Sequence, residues 1–163
     1  MNAINVYFSG ERLQCLIGIA ISILSIAFAL FFLWQVKTEF YRGIAWPIIV
    51  ISILFLSVCI GVVRRTPRDI ERVTNYIKHE KEKVSSKEIP RMKHVLRNFK
   101  VIKIVELGLL LLGIGLLIFA TVKGNLLLSG IGLGLAIQTT IILGFDYFAH
   151  GRAEVYFEFL QNF

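Results

Sequence analysis

Three polar side chains that can carry charge or hydrogen bonds fall inside long apolar stretches of this sequence: Glu106, Gln138 and Asp146. Polar groups at membrane depth are costly unless they are partnered, so they often mark functional positions. Glu106 and Asp146 are expected at the same depth in neighbouring helices, where two carboxylates can bind a cation or relay a proton. His150 follows Asp146 by four residues and extends this candidate cluster along one helix face.

Each of these groups also has a purely structural interpretation. Gln138 lies near the middle of its apolar segment, and a hydrogen bond to a neighbouring helix accounts for it. Lys103, Arg152 and other nearby cations can neutralise the two carboxylates without any further role.

Signatures of catalysis are largely missing from the sequence. Its three histidines are too few for His-rich diiron sites, and the sequence contains neither an HExxH nor a GxSxG motif. The glycine-rich run at 130–135 has no preceding strand, as a phosphate-binding loop requires. We therefore expect a protein that is not an enzyme, with no catalytic residues, no metal and no cofactor.

Four apolar segments must position these polar groups: residues 13–36, 44–63, 104–122 and 126–148. The chain is 56% hydrophobic, with a mean hydropathy of +0.71. Each segment has about 19 to 24 residues and spans roughly 28 to 36 Å as a helix, enough to cross a hydrocarbon core of about 30 Å. Residues 1–12 have no basic region typical of a signal peptide, so we expect the first segment to be retained as a membrane helix.

The connections and the charges predict the topology. Residues 37–43 and 123–125 are short enough to make tight antiparallel hairpins, and thirteen of the eighteen Lys and Arg residues fall in 64–103. The positive-inside rule places such a region in the cytoplasm. The predicted fold is all-α: a polytopic membrane protein of the cell (plasma or inner) membrane, in which two transmembrane hairpins are joined by a basic cytoplasmic helical hairpin and both termini are cytoplasmic.

This topology divides the chain into four parts: 1–63, 64–103, 104–148 and 149–163. In the second part, Thr66 to Asp69 resembles a helix N-terminus with Pro67 at its first position, residues 85–90 predict a break, and a second helix is expected to open near Arg91. The last part predicts an amphipathic interfacial helix with Val155, Phe159 and Phe163 on one face. Continuation of the fourth membrane helix is an almost equally good interpretation.

Small residues recur at the spacing that allows membrane helices to approach closely. They favour packing within the bundle, with a dimer face as the alternative. The candidates are Gly18, Ser22, Ser57, Gly61, Gly113, Gly115, Gly130 and Gly134.

Basic residues of 64–103 predict attraction to an anionic inner leaflet, at about 1 kcal/mol for each residue close to the surface. Topology determination alone explains them equally simply, and we expect no nucleic acid partner. The candidates for this lipid surface are Arg64, Arg65, Arg68, Arg72, Arg91, Arg97 and Lys100.

Aromatic residues are expected to form belts at the two membrane surfaces. On the outer side the cluster contains Phe31, Phe32, Trp34, Phe40, Tyr41 and Trp46. On the inner side it contains Tyr7, Phe8, Tyr147, Phe148, Tyr156 and Phe157.

These features favour a protein that acts by helix-helix contact with another membrane protein, as an accessory subunit or an immunity-type inhibitor, or with further copies of itself. A small oligomeric transporter or channel that uses the intramembrane carboxylates is the alternative. A third hypothesis is a membrane-anchored scaffold that presents the basic hairpin to a soluble partner.

Overall fold

A computed structural model describes residues 2–162 of the chain, and its elements are all helical. Met1 and Phe163, the two ends of the predicted domains, lie outside the described residues. The elements are α1 (Asn2–Phe31) with a π-helical turn (Phe32–Val36), α2 (Glu39–His79), the short α3 (Lys81–Lys83) with a π-helical turn (Val84–Glu88), α4 (Ile89–Val122) and α5 (Leu126–Gln161).

Four helices are long and apolar enough to span a membrane: Ile4–Val36, Glu39–His79, Lys81–Val122 and Leu126–Gln161. The prediction of an all-α chain with four such helices is confirmed. Each helix is longer than its apolar segment. The 41 residues of α2 extend about 60 Å, twice the thickness of a hydrocarbon core of about 30 Å.

The connections between the membrane-length helices are very short. Only Lys37 and Thr38 separate the π-helical end of the first span from α2, and Lys37 adopts a left-handed conformation with φ of 53°. Residues 39–43, which the sequence assigned to the connection, already belong to α2. The side chain of Asn125 caps α5 by accepting a hydrogen bond from the Leu128 backbone N–H at 3.0 Å.

Close helix packing pairs α1 with α2, α4 with α5, and α2 with α5. Glycines of α5 serve two of these contacts. A Cβ on Gly134 would lie 3.0 Å from the Ile44 Cα of α2, whereas one on Gly132 would lie 2.7 Å from the Gly113 carbonyl oxygen of α4. Residues two apart on a helix are separated by about 200°, so alternate glycines face opposite neighbours.

The predicted helix start at Thr66 was wrong, because α2 continues through Pro67 to His79. A proline inside a helix removes one backbone hydrogen bond. Here Thr66 remains part of the continuous helix, and its hydroxyl donates to the Val62 carbonyl at 2.7 Å. The chain reverses earlier than the sequence indicated, at Glu80, and residues 84–88 form a π-helical turn that leads into α4.

Beyond the apolar segments the four long helices meet in a second, basic part of the molecule, which we call the basic-end core. Its buried apolar residues come from α1, α2 and α5, from α4, and from the π-helical turn before α4. They are Ile4, Tyr7, Phe8, Val73, Val84, Met92, Ala153, Tyr156 and Leu160.

This core changes the interpretation of both chain ends. Residues 149–161 continue α5 without a break, as the alternative interpretation held, and they are not a separate interfacial helix. Tyr7, Phe8 and Tyr156 are at most 5% exposed and pack on one another. The structure therefore places them in a protein core and not in an aromatic belt.

Candidate functional site

A cavity of about 920 Å³ lies between α2 and α4, with α5 and the start of α1 completing its lining. We call it the α2–α4 groove. Its walls are mostly apolar and reach the molecular surface, since Leu54 and Val58 line it and are each 63% exposed. A large apolar cavity with a few convergent polar groups is the usual form of a binding site.

The polar groups of the groove include the two carboxylates singled out in the sequence. Glu106 of α4 and Asp146 of α5 both line it. Glu106 is only 5% exposed, and neither of its carboxylate oxygens receives a hydrogen bond from a donor group among the described residues. A buried carboxylate without a donor is costly, so this pair is suited to a ligand that brings a positive charge or N–H donors.

One wall of the groove is lined by small residues. Ser57 and Gly61 of α2 are four residues apart, both line the cavity and both are exposed. Open space surrounds the position that a Gly61 Cβ would take, with no atom within 4 Å. This is the spacing at which a second helix can approach closely, and in the described part of the chain no helix occupies that space.

Charged groups mark the basic end of the groove. Arg65 of α2 pairs with Glu11 of α1 at 3.2 Å and lies 3.8 Å from Asp69. Arg65 and Glu11 both line the cavity. The groove therefore runs from this charged rim to the apolar residues Ile51 and Leu109.

Gln138 makes the hydrogen bond to a neighbouring helix that the sequence predicted. Its Nε2 donates to the Ser52 hydroxyl oxygen of α2 at 3.0 Å, and both side chains are buried. Gln138 thus connects α5 to α2 within the apolar segments and is separate from the carboxylate pair.

His150 does not line the groove. Its Nε2 lies 3.7 Å from the Glu154 carboxylate, and its ring meets Phe99 edge-on with centroids 5.5 Å apart. The structure therefore brings together Glu106 and Asp146 but leaves His150 on an adjacent surface. No group of three or more His, Cys, Asp or Glu residues placed to hold a metal ion occurs among residues 2–162.

The other predicted packing residues differ in their surroundings. A Cβ on Gly18 would lie 3.0 Å from the Cys59 sulfur, one on Gly113 2.9 Å from the Ala136 nitrogen, and Gly130 faces the Phe40 carbonyl. Ser22 is buried, and its hydroxyl has no partner among the described residues. Gly115, like Gly61, faces open space.

Most of the basic residues singled out for lipid contact are exposed, but Arg91 is not available for that role. The exposed members are Arg64, Arg65, Arg68, Arg72, Arg97 and Lys100. Arg72 pairs with Asp69 at 2.9 Å, and Arg97 lies 3.0 Å from His94 Nδ1.

Arg91 instead belongs to a buried polar network that the sequence did not reveal. Its guanidinium donates to both carboxylate oxygens of Glu88, at 3.0 and 2.5 Å, and the Tyr156 hydroxyl donates to the same carboxylate at 3.2 Å. Tyr156 lies beyond the apolar segment 126–148, and its burial beside Glu88 raises the pKa of the hydroxyl, which keeps the proton it donates. The three-residue spacing of Glu88 and Arg91 is compatible with an ion pair on one helix face. Nothing in the sequence indicated the contact with Tyr156.

Comparison with known proteins gives no assignment for this groove, because no protein-family model, no curated protein and no solved structure matches the chain.

Proposed function

We propose that this chain is a non-enzymatic integral membrane protein that acts by helix-helix contact with another membrane protein, as an accessory subunit or an immunity-type inhibitor. The observation that carries the proposal is the α2–α4 groove, an apolar cleft along membrane-length helices. The occupant of the groove is a transmembrane helix of the partner.

The chemistry of the groove supports a helix as its occupant. Ser57 and Gly61 provide the small-residue face against which a helix packs by van der Waals contact. Glu106 and Asp146 favour a partner helix with a Lys, Arg or amide side chain at the matching depth, because such a side chain supplies the missing donors.

The orientation proposed for the protein follows from its charge distribution. Thirteen cations and five acids lie in 64–103, between the second and third apolar segments. The positive-inside rule then places the basic-end core, both termini and the Glu106–Asp146 end of the groove on the cytoplasmic side of a plasma or inner membrane. The exposed cations of this region face the anionic inner leaflet.

Site-specific photo-cross-linking in the native membrane tests this function. A photoreactive residue at Leu54, which lines the groove, should form an adduct with one defined membrane protein. The control is Leu111, which is 70% exposed on α4 but does not line the groove. Equal adducts from both positions, or no protein adduct from Leu54, would contradict the proposal.

Filling the groove provides an independent test. Gly61→Leu should reduce copurification of the partner from nanodiscs by about tenfold or more, because a large side chain removes the close-approach face. Gly115→Leu is the matched control, since both glycines face open space but only Gly61 lines the groove. The wild-type complex and both variants are quantified by mass spectrometry.

A small oligomeric transporter or channel is the second candidate, favoured by the acidic pair and by a cavity volume within the range of small-molecule sites, about 300 to 1,000 Å³. The double variant Glu106→Gln and Asp146→Asn separates the two. If it abolishes uptake or efflux by the purified protein in liposomes, the transport function is supported. If the wild type shows no flux and the variant loses its partner, helix-helix contact is supported.

A further inference from the structure

We propose that an anionic phospholipid binds in a second groove, between α1 and α5, with its phosphate on Arg152 and an acyl chain along the apolar length of the groove. Gln14 and Phe145 line both this groove and the α2–α4 groove, but the other lining residues differ. The proposal does not depend on the function proposed above. Arg152 lies outside the basic segment 64–103.

The site is a second cavity, of about 550 Å³. Arg152 and Gly10 stand at one end of it, and Leu13, Ile17, Ile141 and Phe148 form much of its apolar length. Leu13, Ile17 and Phe148 are 61%, 49% and 65% exposed, so the groove is open to the surrounding lipid. From Arg152 to Ile141 it follows α5 for about 16 Å, a length suited to an acyl chain.

Arg152 is positioned at the head of this groove with unused hydrogen-bonding capacity. Its Nε and Nη2 atoms are buried and have no acceptor among the described residues. None of the ion pairs in the described part of the chain includes it. A guanidinium without an acceptor in a poorly hydrated position is costly, and its planar donors match the oxygens of a phosphate.

The neighbouring residues fix the side chain there. A Cβ on Gly10 would lie 2.9 Å from the Arg152 Cδ, so the absence of a side chain at Gly10 lets the arginine stem cross α1. Gln14 donates to the Phe145 carbonyl, and its Oε1 is a second buried group without a partner. A guanidinium and an amide acceptor that line the same cavity suit a headgroup with both a phosphate and hydroxyl donors, as in phosphatidylglycerol.

Depth favours a membrane lipid over a soluble anion. Arg152 lies four residues beyond the apolar segment 126–148, beside the start of α1, where headgroup phosphates are expected. The apolar groove leads from there along α1 and α5, and it offers nothing to a free phosphate.

The test compares lipid binding by the purified full-length protein and two variants. Native mass spectrometry in detergent with equal phosphatidylglycerol and phosphatidylcholine should show a retained phosphatidylglycerol on the wild type. Arg152→Gln should weaken that retention by about tenfold or more, since it removes the charge. Arg42→Gln, which removes an exposed arginine outside both the basic segment and the α1–α5 groove, should leave it unchanged.

Three results would overturn the proposal. The first is an equal loss of phosphatidylglycerol from Arg152→Gln and Arg42→Gln, and the second is no preference for phosphatidylglycerol over phosphatidylcholine. The third is thermal stabilisation of the protein by soluble glycerol phosphate equal to that by phosphatidylglycerol, which would identify a soluble anion. If Arg152→Gln does not fold, Ile17→Trp supplies the test. This variant keeps the arginine and fills the apolar groove, so it should reduce phosphatidylglycerol retention. Unchanged retention would reject the acyl-chain site.

Discussion

At the scale of single residues, the sequence predicted the depth of polar groups better than their partners. Glu106 and Asp146 were expected at one depth in neighbouring helices, and the structure brings them together in one cavity. Gln138 was expected to bind another helix, but Ser52 could not be chosen from several hydroxyls at similar depth. Arg152 was interpreted only as a neutralising cation, because the burial of its guanidinium depends on a contact with Gly10 that is 142 positions away.

The Gln138 hydrogen bond gives a prediction at this scale. Ser52→Ala removes the acceptor of Gln138 Nε2 and should lower the free energy of unfolding by about 1 kcal/mol, a typical value for a hydrogen bond between membrane helices. Reversible unfolding in mixed micelles measures it.

Ser57→Ala is the control on the same helix, because the Ser57 hydroxyl donates to the Ile53 carbonyl of its own helix. It should change the unfolding free energy very little. Equal effects of the two substitutions would show that the contact between Gln138 and Ser52 does not stabilise the protein.

At the scale of elements, hydropathy predicted where the membrane-length helices are, but local signals predicted their ends poorly. Thr66 and Pro67 resemble a helix N-terminus, yet α2 passes through them, because tertiary packing of Val73 and the neighbouring turns favours continuation. Local signals also placed Gly43 in the connection before the second apolar segment, although it belongs to α2. Its role as a contact on α2 becomes visible only when α5 is placed against it.

The glycine contacts between α2 and α5 give the prediction at the element scale. Gly130→Ala places a Cβ 3.0 Å from the Gly43 Cα and close to the Phe40 carbonyl, so the two helices must separate. We expect a loss of about 1 to 3 kcal/mol in the free energy of unfolding, typical of overpacking.

Gly144→Ala in the same helix is the matched control, since its Cβ would meet no atom within 4 Å. It should be neutral or slightly stabilising, because alanine is the better helix former. A Gly130→Ala variant as stable as Gly144→Ala would show that α2 and α5 are not in close contact.

At the scale of the whole molecule, the sequence did not predict that the two chain ends and the basic segment form one core. Each contribution is short: Tyr7 and Phe8 before the first apolar segment, Val73 and Met92 within the basic segment, and Tyr156 near the C-terminal end of α5. A group of one or two apolar residues does not indicate which distant part of the chain it packs against. The basic segment, predicted as a domain, shares its core with α1 and α5.

This shared core predicts the behaviour of residues 64–103 when they are transferred to an unrelated membrane anchor. Without Phe8 and Tyr156, the segment loses the groups that cover Val73 and Met92. Its trypsin sites should be cut at least about tenfold faster than in the full-length protein, because local unfolding no longer costs the contacts of the core.

Digestion of both proteins in the same detergent, followed by mass spectrometry of the fragments, measures the difference. Equal rates would mean that the basic segment folds independently. They would also support the hypothesis of a scaffold that presents an autonomous hairpin.

The contact between α2 and α5 also has a consequence for biosynthesis. Ser52 and Gln138 are 86 residues apart, and at about 5 to 20 residues per second the ribosome needs about 4 to 17 seconds to add the second after the first. During that interval Gly43 and the Ser52 hydroxyl of α2 lie in the bilayer without their contacts on α5. The first half of the chain is therefore a nascent intermediate that completes its packing only after α5 is made, and a chain released before that point offers membrane quality control an unfilled helix surface to recognise.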